Sequence, residues 1–328
     1  MNHSLIIHSQ KIWQLISEAK IIVIFHHIRP DGDCLGAQFG LKKVIETNFP
    51  DKIVYCLGDS KNLFPFLDFQ MDSIDDIPIE AINDHSLAIV VDASNANRIE
   101  FGDFLVNANF TKRIRIDHHP NDHDVNYDYA FIDSSYVACC QQILALVQAS
   151  NLVVNRSIAN YLYLGINTDS GGFNYNQLDQ KFYELIAWLF EQTEFDFFYI
   201  NKNLKMKTVS ELKYAAEVLT HFKKENRVCS YIVTEQVLNK FNLTDAVASA
   251  VNLIANVDDS LIWLFLIEID NNQYRCRLRS NQIKVNQIAI QFNGGGHDWA
   301  AGATINRSDQ AKLFQVINEA INHYVQIS

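Results

Sequence analysis

The sequence predicts an α/β protein: a parallel-sheet domain with helices on both faces, followed by a smaller α/β domain joined to it by a helical linker. Three observations carry that expectation. Short apolar strands alternate with amphipathic helices through the first half of the 328 residues, the pattern of strand–helix–strand units and a parallel sheet. Several of these strands end in aspartate or histidine, and open parallel sheets gather their ligands at the carboxyl ends of the strands. Strand-rich segments take over after a stretch of mixed charge. An apolar content of 48% at this length is enough for two hydrophobic cores.

The elements follow in order. "KIIVIFHH" reads as a buried strand running into a loop, and "CLGAQFGLKKVIETNF" carries Leu35, Phe39, Val44 and Ile45 at helical spacing before stopping at Pro50. "KIVYCLG" is the next strand. "HSLAIVVDAS" and "KRIRIDHH" repeat the apolar strand with a polar end, and "SYVACCQQILALVQAS" and "RSIANYLYLGINTDS" read as helices. This domain is expected over residues 1–190. Residues 191–225, with "SELKYAAEVLTHFKKEN", read as the helical linker. Residues 226–328 supply the second domain, with strands in "VCSYIVTEQV", "LIWLFLIEID", "QYRCRLRSN" and "QFNGGGHDWAAGATI". "IDNNQY" is expected to turn between two of them, and Trp263 to pack inside.

Composition excludes several classes of function. No stretch reaches the roughly 18 apolar residues of a membrane span, and "MNHSLIIHSQK" lacks the zones of a secretory signal. A cytoplasmic protein without a membrane partner is expected. The six cysteines show no C-x-x-C spacing, so reduced thiols are expected rather than a zinc ribbon or a disulfide framework. A net charge of −11 argues against long duplex nucleic acid, which needs a basic groove. An anionic ligand must instead be held at a small, locally positive site.

The stretch "FHHIRPDGDCLG" concentrates the chemistry. His27, Asp31 and Asp33 lie on a loop leaving a buried strand, and Pro30 and Gly32 let the backbone curl so that they converge, as in a metal half-site. The competing reading is that Asp33 caps the following helix. Recurrence shifts the balance: Asp92, the group Asp117, His118 and His119, and Asp169 each stand at the end of a further element. Taken singly these have ordinary readings too, Asp92 as a turn former, Asp117 as a residue orienting a neighbour and Asp169 as a loop cap.

"HHIRPDGDCLG", "VVDASNANR", "RIDHHPNDHD" and "GINTDSGGF" resemble the four motifs of the DHH phosphoesterases, and "RLRSN" with "NGGGHDWAAG" resembles the DHHA1 domain that follows in one branch. The resemblance covers essentially the whole chain. Within the family, the chain is most similar to the short two-domain enzymes that act as oligoribonucleases (nanoRNases) and pAp phosphatases. The resemblance implies a hydrolase with a dinuclear centre, usually of manganese. His27 and Asp31 would bind one ion, Asp33, His118 and Asp169 the other, and Asp92 both, with a bridging hydroxide attacking phosphorus in line. Oxygen and imidazole donors without thiolate agree with Mn²⁺ better than with zinc or magnesium.

Such a centre, with four aspartates and a hydroxide against two divalent cations, is not positive. Extra cationic groups are therefore expected around the phosphate. His119 is the candidate for a phosphate-facing donor or the acid for the leaving oxygen, and Arg98 is a further contact. In the second domain, Arg277 and Arg279 share a strand face while Leu278 points to the core, and Ser280 belongs to the same family stretch. Gly294, Gly295 and Gly296 let backbone N–H groups approach an anion, and His297 follows where a helix is expected to begin. His26 and His123 are read as orienting or surface groups. The expected substrates are short RNA oligonucleotides or nucleotide phosphates such as 3'-phosphoadenosine 5'-phosphate. Cyclic di-AMP or linear pApA stays open as an alternative, as does a homodimer. A catalytically silent nucleotide-binding regulator is disfavoured because every expected ligand position is filled.

Overall fold

The computed structural model describes residues 3–78, 82, 85–174, 178–244, 248–269 and 272–327, apart from the side chains at 297 and 327. The chain falls into two units, Met1–Lys205 and Met206–Ser328. The segment 191–225 is shared between them. Its first part belongs to the first unit and its remainder opens the second.

In the first unit the chain runs α1 (His3–Glu18), β1 (Ile21–Phe25), α2 (Gly32–Asn48), β2 (Ile53–Leu57), β3 (Ser86–Val91), α3 (Gly102–Asn107), β4 (Lys112–Asp117), β5 (Tyr129–Ile132), α4 (Cys139–Ala149), α5 (Arg156–Asp169), α6 (Gln180–Gln192) and α7 (Phe197–Lys205). The five strands form one sheet in the order β2-β1-β3-β4-β5, every neighbouring pair parallel. β1 and β3 are buried along their whole length, which is why both read as unbroken apolar runs rather than alternating ones. One face carries the larger core, where Ile22, Ile24, Ile89 and Ile114 pack against Ile16, Leu41, Ile143 and Leu162 of α1, α2, α4 and α5. The other face is covered more thinly. Val23, Phe25 and Val90 meet Leu105 of α3 together with loop residues such as Ile99 and Phe110. Helices thus lie on both faces, unevenly. The chain steps outward from β1 to β2 and then reverses to β3, so the switch of strand order falls between β1 and β3. Open α/β sheets bind ligands in the crevice at that point.

The second unit holds α8 (Val209–His221), β6 (Lys223–Glu225), β7 (Val228–Val233), α9 (Glu235–Phe241), β8 (Ile262–Ile269), β9 (Gln273–Ser280), α10 (Val285–Ile290), β10 (Gly295–His297), β11 (Ala300–Asn306) and α11 (Gln310–Ile327). The helix expected across "SELKYAAEVLTHFKKEN" starts at a capping box between Thr208 and Glu211 and stops at His221; Lys223–Glu225 pair with β7 as a strand. The sheet order is β10-β11-β9-β8-β7-β6, with β7 and β8 parallel and the remaining neighbours antiparallel. β8 and β9 pair from Ile262↔Ser280 to Ile269↔Gln273. Asp270 and Asn271, in the expected turn, lie outside the described residues. Leu264 and Leu278 pack on one side with Ile288 and Leu313, while Trp263 and Phe265 pack on the other with Tyr214 and Val218 of α8. Among the described residues no helix is long and apolar enough to cross a membrane. All six cysteines are buried and unpaired.

Candidate metal centre

The centre is built at the carboxyl ends of β1, β3 and β4. Asp31 caps α2, its Oδ1 accepting the backbone N–H groups of Asp33 and Cys34 at 3.1 Å each. That work occupies one oxygen. The other, Oδ2, lies 3.5 Å from Nε2 of His27. The His27 ring is oriented from behind, with Nδ1 2.9 Å from the carbonyl of Ile28. His118 repeats the arrangement with Nδ1 3.3 Å from the carbonyl of Tyr136. An Nδ1–H donated to a carbonyl fixes the tautomer and leaves Nε2 with its lone pair for a ligand.

Both imidazoles converge on Asp92, which follows β3 in a left-handed conformation (φ 56°). His27 Nε2 is 3.4 Å from Asp92 Oδ2, and His118 Nε2 is 3.4 Å from Asp92 Oδ1. His118 Nε2 is also 3.7 Å from Asp169 Oδ2 and 3.9 Å from Asp33 Oδ2. Asp169 is the last residue of α5. Asp33 is fully buried and reaches the start of α4, where the N–H of Cys139 donates to Oδ2 at 2.6 Å and that of Cys140 to Oδ1 at 2.9 Å. The reading of Asp33 as the cap of the following helix is therefore corrected: Asp31 caps α2, and the Asp33 carboxylate accepts from the first amides of α4.

The electrostatics are those of a site short of positive charge. Burial, with Asp92 beside it, pushes the Asp33 carboxyl up to about 7. Burial and the nearby Asp33, Asp31 and Asp92 raise Asp169 well above the carboxylate range. Asp92 goes the other way. Burial opposes its ionisation, but the facing imidazoles of His118, His119 and His27 hold it well below the usual value. The imidazoles of His118 and His119 resist their own burial and rise to about 9 and about 10, chiefly on Asp92 for the first and on Asp117 and Asp92 for the second. Asp92 Oδ1 is buried with no hydrogen-bond partner. Crowded carboxylates forced towards protonation and an orphaned buried oxygen fit a cation, as do donor atoms 3.4–3.9 Å apart, since ligands bonded at about 2.0–2.2 Å sit about 3–4 Å from one another around an ion. Two donor groups emerge, His27 with Asp31 and Asp33 with His118 and Asp169; in each the donor atoms lie within 4.8 Å of one another. Cys34 joins the first and Asp92, His118 and His119 form a third. Burial pushes the Cys34 thiol up to about 12, so it stays protonated.

His119 stands beside His118 with Nδ1 2.8 Å from Asp117 Oδ1 and 3.3 Å from Asp92 Oδ1. Arg98 is exposed on a short 3-10 turn, Ala96–Arg98, whose last carbonyl accepts the N–H of Ile28 at 2.7 Å. That bond ties the turn to the His27 loop. His26 is fully buried with Nδ1 2.8 Å from the carbonyl of His27, and its burial lowers it to about 4, keeping it neutral. His123 is exposed, with Nδ1 3.3 Å from Nη1 of Arg115. Sequence reasoning passed over Arg115, whose side chain is fully buried, and the two α4 amides that hold Asp33. A signal for the first was present: in "RIRIDHH", Arg115 and Asp117 share a strand face at i, i+2, alternating with Ile114 and Ile116.

The second unit groups the remaining candidates on β9 and its hairpin. Arg277 and Arg279 are half-buried on one face, and Leu278 is buried on the other. Ser280 is buried and shapes the chain: its hydroxyl donates to the carbonyl of Leu261 at 2.7 Å and accepts the N–H groups of Gln282 and Ile283. The backbone of His297 ends β10, which pairs antiparallel with β11 through His297↔Ala300. The helix start expected there is therefore a strand, because the glycines pair along Ala301 and Gly302 instead of coiling. The side chain of His297 lies outside the described residues. A Cβ on Gly294 would sit 2.2 Å from the carbonyl oxygen of Gly302, and one on Gly296 (φ 131°) 2.5 Å from that of Ala300, whereas one on Gly295 would meet nothing within 4 Å.

Comparison with known proteins bears on the family and the fold. Residues 21–166 match the DHH family, N-terminal domain, and residues 229–325 match the DHHA1 domain. A relative from Mycoplasma genitalium, called "Bifunctional oligoribonuclease and PAP phosphatase NrnA", is 40% identical over 93% of this chain and 94% of its own length. The Bacillus subtilis protein of the same name is 30% identical over 90% of this chain and 93% of its own. The fold matches the crystal structure of an exopolyphosphatase-related protein from Bacteroides fragilis with a TM-score of 0.83 at 23% identity, over 98% of this chain and 97% of that one. With two domain matches in order and relatives of this identity along nearly the whole length, the chain belongs to the DHH family and carries a DHHA1 domain after its DHH domain.

Proposed function

We propose that this protein is a hydrolase that cleaves short oligoribonucleotides, and also 3'-phosphoadenosine 5'-phosphate, with two divalent metal ions, Mn²⁺ by preference. The observation that carries the reading is that His27 and His118 both face Asp92, with Asp31 beside His27 and with Asp33 and Asp169 beside His118. The names of relatives at 40% and 30% identity support the substrate class.

His27 and Asp31 would hold one ion, Asp33, His118 and Asp169 the other, and Asp92, with one oxygen towards each imidazole, would serve as a ligand to both. Bound there, divalent cations supply Lewis acidity to the phosphoryl oxygens and a water acidic enough at neutral pH to attack phosphorus. The chain's own residues do the rest. The carbonyls of Ile28 and Tyr136 hold His27 and His118 in the tautomer that presents Nε2. Asp117 holds Nδ1 of His119, which presents the opposite edge of its ring and gives a proton to the departing oxygen. Arg98, on the turn tied to the His27 loop, is a further contact for the phosphate. Residues 1–205 form the catalytic part and 206–328 the part that grips substrate. In that part Arg277 and Arg279 pair with a phosphate, and the hairpin of Gly294, Gly295, Gly296 and His297 approaches it through backbone N–H groups. Ser280 supports this face by fixing the chain after β9. With two guanidiniums on one strand face, a terminal phosphate is recognised bidentately.

The test is a substrate panel. Purified protein with Mn²⁺ is given RNA from dinucleotides to long oligomers, pAp, cyclic di-AMP, pApA and pyrophosphate, and rates are ranked. A steep fall in kcat/KM with RNA length, with pAp also turned over, is the expected result. Preference for cyclic di-AMP or pApA would reassign the substrate, and inactivity on every phosphodiester would refute the proposal.

A further inference from the structure

Arg115 is the only arginine among the described residues with a relative exposure of 0%, and all its hydrogen bonding goes to one loop. Nε and Nη2 donate to Asp117 Oδ2 at 3.0 and 2.6 Å, Nη2 also donates to the carbonyl of His119 at 3.2 Å, and Nη1 donates to the carbonyl of Asn121 at 3.1 Å and meets His123 Nδ1 at 3.3 Å. A guanidinium presents its donors in a fixed plane, so these acceptors are locked relative to one another. With Oδ2 held by Arg115, Asp117 turns Oδ1 to His119, accepting its backbone N–H at 2.9 Å and its Nδ1 at 2.8 Å. Imidazole geometry then places Nε2 of His119 on the side away from Asp117. His118, the next-door ligand candidate, is oriented separately by the carbonyl of Tyr136.

We infer that Arg115 is a positioning residue for the reaction: through Asp117 it aims His119 at the departing oxygen, without serving the metal ligands. The inference rests on the proposed phosphodiesterase reading. In the step it serves, water forms the new bond to phosphorus and gives up one proton to solvent, the bond to the leaving nucleoside oxygen breaks with its electron pair on that oxygen, and the Nε2 proton of His119 passes to it, to be replaced from solvent. The Nδ1–H on Asp117 remains. A leaving group that needs no proton makes this aim irrelevant.

That property supplies the test. Arg115→Met, Asp117→Asn and the double variant are compared with wild type on an RNA dinucleotide and on bis(p-nitrophenyl) phosphate, whose nitrophenolate departs unprotonated. The double variant guards against misfolding, since removing both members of a buried pair strands no charge. We expect kcat on the dinucleotide to fall about 10–100-fold in each variant, the range for residues that orient a working group, with KM and Mn²⁺ affinity within about threefold. The nitrophenyl ester should lose less than about threefold, and the double variant should be no worse than the poorer single one, because both act on one chain of bonds. In ¹⁵N-histidine NMR spectra of the variants, the His119 Nδ1–H signature should be lost while that of His118 stays. Equal losses on both substrates, a collapse of Mn²⁺ affinity, or an unchanged His119 signal overturns the inference. Failure of the underlying reading looks different: the wild type itself would leave the dinucleotide intact, and the histidine spectra would still decide the role of Arg115.

Discussion

The two units solve opposite electrostatic problems. In the first, four aspartates crowd together where three neighbouring strands and α5 end, Asp33 and Asp92 among them buried, and Asp33 and Asp169 are driven towards protonation by burial and by the neighbouring carboxylates. In the second, Arg277 and Arg279 stand half-buried on a strand face, beside a glycine hairpin with one open position. The first arrangement is unfavourable until a cation arrives; the second tolerates water as well as a ligand. The difference teaches where sensitivity must lie. On the proposed reading, changes in the first unit should alter whether chemistry occurs, and changes in the second how well a substrate is held.

The comparison breaks most easily at Asp92. Asp92→Asn removes the shared charge while keeping a side chain that accepts a left-handed backbone, so far-UV circular dichroism should be unchanged. The kcat/KM for dinucleotide hydrolysis should drop about a thousandfold or more, as when several kcal/mol of transition-state stabilisation go. Retained Mn²⁺-dependent activity would sink the picture of Asp92 as the common ligand. Chelation comes next in size. Wild-type protein stripped with EDTA should melt lower and recover with Mn²⁺, since a ligand at about 100 times its Kd adds about 2.7 kcal/mol to the native state. Asp92→Asn should show little of that recovery.

Stability against pH sharpens the contrast without any substrate. Asp33 has a folded-state value of about 7 against 3.8 for an ordinary aspartate, so the native state binds its proton more tightly than the unfolded chain. Its contribution is greatest at low pH and is lost as pH rises from about 4 to about 7. Asp169, also raised, has the same sign, whereas the depressed Asp92 matters only near and below 3.8. His26, which burial lowers to about 4, opposes them by gaining stability as pH rises from about 4 to about 6.5, so metal-free protein should lose stability from pH 4 to pH 7 by the excess of the two aspartates, each up to about 1.4 kcal/mol per pH unit, over this histidine. Mn²⁺ should flatten the slope. Chemical denaturation at several pH values, with and without metal, measures it, and a metal-free slope of the opposite sign would contradict the charge deficit.

The metal corner was legible in the sequence because its residues sit where apolar strands break off into acids and imidazoles, a change visible within a few positions. The parallel sheet was legible for the same reason, as β1 and β3 are unbroken apolar runs. What stayed hidden depends on contacts between distant segments. Nothing local in "DGDC" says that Asp31 keeps the cap of α2 while Asp33 accepts from amides of Cys139 and Cys140. Likewise, "GGGHD" looks like a loop entering a helix until Ala300 and Gly302 are seen to pair with it. Arg115 reads as an ordinary polar strand residue; only the loop that folds back over it turns it into a buried anchor.

The smallest effects belong to the second unit, and they divide it internally. Arg279→Ala should raise KM for a dinucleotide about tenfold or more, the loss of a charge-assisted hydrogen bond, while kcat and the Mn²⁺-induced gain in melting temperature stay near wild type. Within the hairpin, Gly296→Ala forces a Cβ against the Ala300 carbonyl at a backbone angle of φ 131°, which should destabilise the protein by about 1–3 kcal/mol. Gly295→Ala should cost less than about 0.5 kcal/mol, because its new methyl meets nothing within 4 Å. If the open side of Gly295 is where phosphate comes close to the backbone, that methyl should nevertheless raise KM several-fold with kcat preserved. A variant of wild-type stability and weakened substrate binding would mark this position as the contact; unchanged KM would move the phosphate away from the hairpin and leave the arginines to hold it alone.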